Sequence, residues 1–184
     1  MFHDTFKSLK FGFWILLPLL LISNNKVEFE AKGPSTMGGS YELHATGALE
    51  QQLNGLVYFK SEQQATSQGI PFSTLTLKFD DVAPNHYHDI EFLIAKQNQS
   101  HMISKGTYEV TRNVEGLLDN FDGVFGFANI KALGEKPFFA YKGKVVITQF
   151  SNTGLQGYVD VTLKCTKGRK LYIKGSFNAT RQKA

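Results

Sequence analysis

Residues 143–177 read GKVVITQFSNTGLQGYVDVTLKCTKGRKLYIKGSF, and this stretch sets the fold class. Gly143 opens an extended run from Lys144 to Phe150, which ends at the turn residues Ser151, Asn152, Thr153 and Gly154. In the next run Val159, Val161, Leu163 and Cys165 alternate with Asp160, Thr162 and Lys164. A period of two is that of a strand with one buried face, because successive side chains point to opposite sides. Lys167-Gly168 turns the chain, and Leu171, Ile173 and Phe177 return on the inner face. Three strands joined by short turns form an antiparallel meander.

The same period runs upstream. Tyr41, Leu43 and Ala45 alternate with Glu42, His44 and Thr46, and Leu75, Leu77 and Phe79 with Thr74, Thr76 and Lys78. Leu56 to Phe59 follows Asn54-Gly55, Ile90, Phe92 and Ile94 form another face, Gly106 leads Thr107 to Thr111, and Val124 to Ile130 follows Asp122-Gly123. Only Ala48 to Leu53 and Val114 to Phe121 read as short helices. Strand following strand without crossover helices excludes a parallel sheet. Residues 41–184 are therefore expected to be one all-β domain, an antiparallel β-sandwich or flattened barrel of about 8–10 strands.

The N-terminus is of another kind. Phe11 to Ile22 (FGFWILLPLLLI) is intensely apolar, with Lys7 and Lys10 before it and Ser23, Asn24 and Asn25 after it. That order of basic, apolar and polar segments is the form of an export signal. The run is shorter than the roughly 20 apolar residues of a relaxed spanning helix, and Pro18 interrupts it. Residues 1–23 are expected to be a signal peptide or an uncleaved N-terminal anchor helix, and 24–40, with Gly33-Pro34-Ser35-Thr36 and Gly38-Gly39, a linker. The expected localisation is exported: periplasmic, secreted or envelope-associated, tethered if the helix is retained. Cys165 is the only cysteine, which excludes an intramolecular disulfide, and its phase with Val161 and Leu163 places it in the core.

Lys105-Gly106-Thr107-Tyr108, then Tyr141-Lys142-Gly143-Lys144-Val145-Val146-Ile147-Thr148, Gly157, and Gly175-Ser176-Phe177-Asn178-Ala179 form a recurring layout. It resembles small exported or lipoprotein β-sandwich domains of unknown function from Gram-negative, Bacteroidetes-like bacteria. There a GTY strand precedes a G-x-V-x-I-T strand, a G-x-F/Y strand and a closing G-S-F strand. The resemblance spans the C-terminal half. It implies a fold and a compartment and no activity. The lipoprotein cysteine of many such domains is missing here.

The densest polar stretch is Asp80-Asp81 followed by Asn85-His86-Tyr87-His88-Asp89. In an extended chain His86 and His88 point to one side and can reach one metal ion, with Asp89, Asp80 or Asp81 as a third ligand and His44 or His101 from elsewhere. Pro84-Asn85 equally marks an ordinary turn, and no tight transition-metal site and no cofactor are expected. Tyr58, Tyr87, Tyr108 and Tyr141 are candidate ligand-stacking rings, with Tyr172 a further exposed-looking one. Lys164, Lys167, Arg169, Lys170 and Lys174 lie in a C-terminal stretch without Asp or Glu. They are candidate contacts to an anionic surface, or lysines that guard a hairpin edge.

Asp119 with Asp122, or Asp80 with Asp81, has the residue types of a glycosidase pair, but their separation is not readable from sequence. There is no G-x-S-x-G elbow, and no recognition-helix, zinc-finger or RNA-binding pattern, so no nucleic-acid partner is expected. The functional expectation is an exported, envelope-associated, non-enzymatic binding or structural module. Its partner would be an envelope glycan, a lipid surface or another envelope protein. The alternative is a hydrolase or metal-dependent enzyme centred on His86 and His88.

Overall fold

The computed structural model describes residues 39–65, 69–82, 87–97, 103–111, 122–134 and 136–182. The expected signal or anchor, most of the linker, the helix at 114–121, and His86, His101 and Asp119 lie outside the described residues.

Nine strands occur among the described residues: β1 (Ser40–Gly47), β2 (Gln51–Ala65), β3 (Pro71–Asp81), β4 (His88–Gln97), β5 (Gly106–Glu109), β6 (Gly123–Ile130), β7 (Phe138–Phe150), β8 (Gly154–Lys164) and β9 (Lys170–Arg181). Strands β1-β2-β3-β4-β6-β7-β8-β9 pair in that order, each antiparallel to the next, and β9 pairs back to β1. The sheet thus closes into an eight-stranded barrel, not a two-layer sandwich. The short β5 lies beside β7 where β6 no longer reaches, with Val110 bridging to Val124. Register shifts in β7 between Ala140 and Lys142 and between Ile147 and Gln149 mark the bulges that let a long strand bend round a small barrel.

Ala48 to Leu53 is not helical. Strand β2 begins at Gln51, and Leu53 pairs with Leu43. Pairing with β1 and burial of Leu53 outweigh the weak local preference. The C-terminal meander is present as β7, β8 and β9, with Val159, Val161 and Leu163 facing the core.

Inward side chains fill the barrel, as expected where eight strands leave room for little else. Phe79 sits at the centre, edge-on to Tyr41, Phe92 and Phe177 at centroid distances of 5.1, 5.9 and 5.7 Å. Three of these aromatic rings lie over glycines directly opposite them: Tyr41 over Gly55, Phe92 over Gly126, and Phe177 over Gly157. An arginine caps each end of β9. Arg169 stacks on Phe138 at 5.5 Å at one mouth, and Arg181 stacks on Phe59 at 5.2 Å at the other. Each guanidinium lies over an aromatic face, which attracts cations.

A methyl group at Gly126 would lie 2.9 Å from Phe92 Cε1 and 2.8 Å from the Glu91 carbonyl oxygen. Gly126→Ala is therefore expected to cost about 1–3 kcal/mol by overpacking. Gly154→Ala, whose methyl would meet nothing closer than 3.7 Å, should change stability little. Urea melts of the two variants check this; equal effects would mean that Phe92 does not lie over Gly126.

Candidate functional site

The most polar part of the barrel interior is one row across four strands. Tyr41 pairs with Gly55, Gly55 pairs with Asp81, and His88 opens β4 alongside the end of β3. Residues directly opposite share a face. Gly55 has no side chain to separate Tyr41 from the polar groups beyond it. His88 Nδ1 lies 3.1 Å from Asp81 Oδ2. The Tyr41 hydroxyl contacts His88 Nε2 and lies 3.4 Å from the Asp80 carbonyl oxygen. Tyr41 is 5% exposed and His88 3%. Polar groups so deep in an apolar barrel persist because they satisfy one another.

Burial pushes the Tyr41 phenol well above its ordinary range, and the charges of Asp81 and Asp80 add to the effect. The phenol therefore stays protonated and has the Asp80 carbonyl oxygen as an acceptor beside its contact with Nε2, while Nδ1 faces the Asp81 carboxylate. Both ring nitrogens of His88 face protein atoms, and neither is open to a metal ion or a substrate.

The raised phenol has a consequence for stability. The unfolded chain releases the Tyr41 proton near pH ~10, whereas the folded chain holds it to higher pH. Stability that depends on this proton is intact below about pH 10 and is lost as the pH rises beyond it. The stability advantage of the wild type over Tyr41→Phe should thus shrink in urea melts taken above about pH 10. A constant advantage through that range would show that the phenol ionises as freely in the folded chain as in the unfolded one.

The other candidate ligands are dispersed. Asp89 follows His88 along β4 and so points to the outer face, opposite Asp80. His44 is on the outer face of β1, exposed to solvent. Neither joins His88. Beside Asp89, burial pushes the Glu91 carboxyl up, with the Asp89 charge adding to the shift and Lys78 opposing it. Among the described residues no three His, Cys, Asp or Glu side chains are placed to hold a metal ion.

The tyrosines also occupy separate places. Tyr87 is exposed at one mouth, where it lines a hollow of about 260 Å³ with Gln51, His88 and Lys131. Tyr58 is half-buried on β2. Tyr108 packs toward the core, burial pushes its phenol up, and its hydroxyl donates to the Ser104 carbonyl at 2.8 Å. Tyr141 is exposed on β7.

The basic residues converge instead. Lys164 pairs with Lys170 across β8 and β9, and Lys174 lies further along β9 opposite Asp160. All three point outward, in alternation with the buried Leu163, Leu171 and Ile173. Strand β7 adds Lys142, opposite Thr162, and Lys144, opposite Asp160. Both precede the acid-free stretch that begins at Lys164, and the unbroken pairing of Lys142 to Ile147 with β8 brings them beside it. Exposed rings lie among them: Phe139 opposite Lys164, Tyr172 opposite Thr162, Tyr158 opposite Ser176, and Tyr141, whose ring has the Lys164 ammonium 5.5 Å from its centre. The single acidic residue in these three strands is Asp160, 3.7 Å from Lys174.

Lys167 is exposed in the turn between β8 and β9. Arg169 does not join the outer face. It caps Phe138, and Nη2 donates to the Leu133 carbonyl at 3.2 Å. Cys165 is buried at the end of β8. Burial pushes its thiol up, but hydrogen bonds with the backbone of Lys167 and Arg169 and the Arg169 guanidinium more than reverse this and leave it lowered.

No protein-family model, no curated protein and no solved structure matches the chain.

Proposed function

We propose that this chain is an exported, envelope-associated protein that acts as a non-enzymatic binding module through the outside of its barrel. The observation that carries this reading is the filled interior. Phe79 and the rings around it occupy the centre of the barrel, and Arg169 and Arg181 cover Phe138 and Phe59 at its two ends. Contact with a partner then falls to the outer wall, where β7, β8 and β9 expose lysines and rings. His88, on which an enzymatic reading would rest, has its two nitrogens engaged by Asp81 and Tyr41. The order of basic, apolar and polar residues around Phe11 to Ile22 supports export.

Fractionation of producing cells tests the proposal. The protein should be found outside the cytoplasm, in the envelope fraction, and a high-salt wash should release it or weaken its retention. Recovery of the full-length chain from the soluble cytoplasm would overturn the reading.

A further inference from the structure

We propose that the outer face of β7, β8 and β9 is a binding site for an acidic polysaccharide, a sugar chain that carries carboxylate or sulfate groups. The proposal rests on the binding reading above and names the ligand class.

Charge gives the first reason. Lys142, Lys144, Lys164, Lys170 and Lys174 project from three adjacent strands that carry one carboxylate, Asp160; at the edge of the patch Glu109 of β5 lies opposite Lys144. Adjacent strands are about 4.8 Å apart and alternate residues on one face about 6.8 Å apart. The positive charges therefore recur at short intervals in both directions, as a polyanion requires and a single small anion does not.

The rings give the second. Tyr141 and Tyr172 lie on the same face, on strands two apart, so roughly 10 Å separates their backbones. A sugar presents an apolar C–H face and polar edges, which suits an amphipathic phenol beside an ammonium group. Thr162 lies between Lys142 and Tyr172 in the row and is 7% exposed although it points outward. The side chains around it therefore lie along the wall and form a continuous surface.

Shape gives the third. Each strand of an eight-stranded barrel faces about 45° away from the next, so β7 and β9 face about 90° apart. A planar membrane meets such a wall along little more than one strand, whereas a flexible chain can follow it round. A single-stranded nucleic acid shares the chemistry of charge and stacking, but the export reading separates the protein from it.

The test uses the full chain, purified as the producing cell leaves it, with polygalacturonate as the acidic glycan. Neutral dextran, phosphatidylglycerol vesicles and a single-stranded oligonucleotide are the comparisons. Polygalacturonate should bind at low salt. Combined Lys142→Gln, Lys144→Gln, Lys164→Gln and Lys174→Gln should weaken it about tenfold or more. Tyr141→Ala with Tyr172→Ala should weaken it several-fold without any change in charge. Thermal melts establish that both variants are folded.

Equal binding to dextran, or full binding by the tyrosine variant, would overturn the proposal. So would tighter, lysine-dependent binding to the vesicles or the oligonucleotide. If polygalacturonate fails to bind while salt still releases the protein from the envelope, the ligand class is wrong and the binding module stands.

Discussion

Val161→Asp is expected to leave little folded protein at room temperature. Val161 is 2% exposed, faces the barrel interior, and pairs with Gly143 on one side and Ile173 on the other. No cationic group lies on the inner face of those neighbours, so the new carboxylate would be buried without a partner. Such burial costs several kcal/mol, a large share of the ~5–15 kcal/mol that holds a domain folded. Thr162→Asp is the control. From the alternation alone it should face solvent and cost under about 1 kcal/mol. Thr162 does point outward, but it is covered by its neighbours, so the substitution must displace them. A cost of about 1 kcal/mol is expected, with the carboxylate turning toward Lys142. Urea melts separate the two; equal destabilisation would mean that β8 does not present Val161 to the core.

Phe79→Ala should cost about 3–5 kcal/mol and lower the Tm by about 10 °C. Phe79 is fully buried and edge-on to Tyr41, Phe92 and Phe177, so its removal empties the junction of four strands. Phe79→Leu keeps much of the volume and should cost less than about 1.5 kcal/mol. Phe177→Ala combined with Phe79→Ala should cost less than the two single changes added together, because both remove the same ring contact. Thermal melts of the four variants measure this. Strict additivity would show that the two rings do not act on each other.

Most strands were legible because one face is buried and the alternation is strict, as in Leu75, Leu77 and Phe79. β2 was legible only in part. Leu56 to Phe59 reads as a strand, but Gln51 and Gln52 carry no strand preference, so the start of β2 read as a short helix. Closure of the sheet was also out of reach. It depends on pairing between β1 and β9, which are far apart in the chain, and local periodicity does not say which distant strands lie side by side.

The polar row was half legible. His88 is in phase with Ile90, Phe92 and Ile94, and Asp81 with Leu75, Leu77 and Phe79, so extending the two strand phases by one step places both inside. The turn signal at Pro84-Asn85 hid this by making the whole stretch read as a loop. Lys164, Lys170 and Lys174 could be placed on one side of the hairpin by phase. Lys142 and Lys144 share the outward phase set by Val145 and Ile147, but they precede the acid-free stretch that begins at Lys164, so charge clustering along the chain does not single them out.

The pairing of β1 with β9 also bears on how the chain reaches its folded state. Ser40 lies opposite Asn178, so the seam that closes the barrel joins the first and last strands of the domain. Such distant contacts form late, since the loop between them must be ordered first, and folds dominated by them are slow. A ribosome-bound chain cannot close the seam until β9 has emerged. Until then the N-terminal strands have no complete barrel to join, and the polypeptide remains extended and open to capture by chaperones. Under the export proposed above, this delay would keep the chain threadable through a translocation channel, an advantage written into the strand order itself.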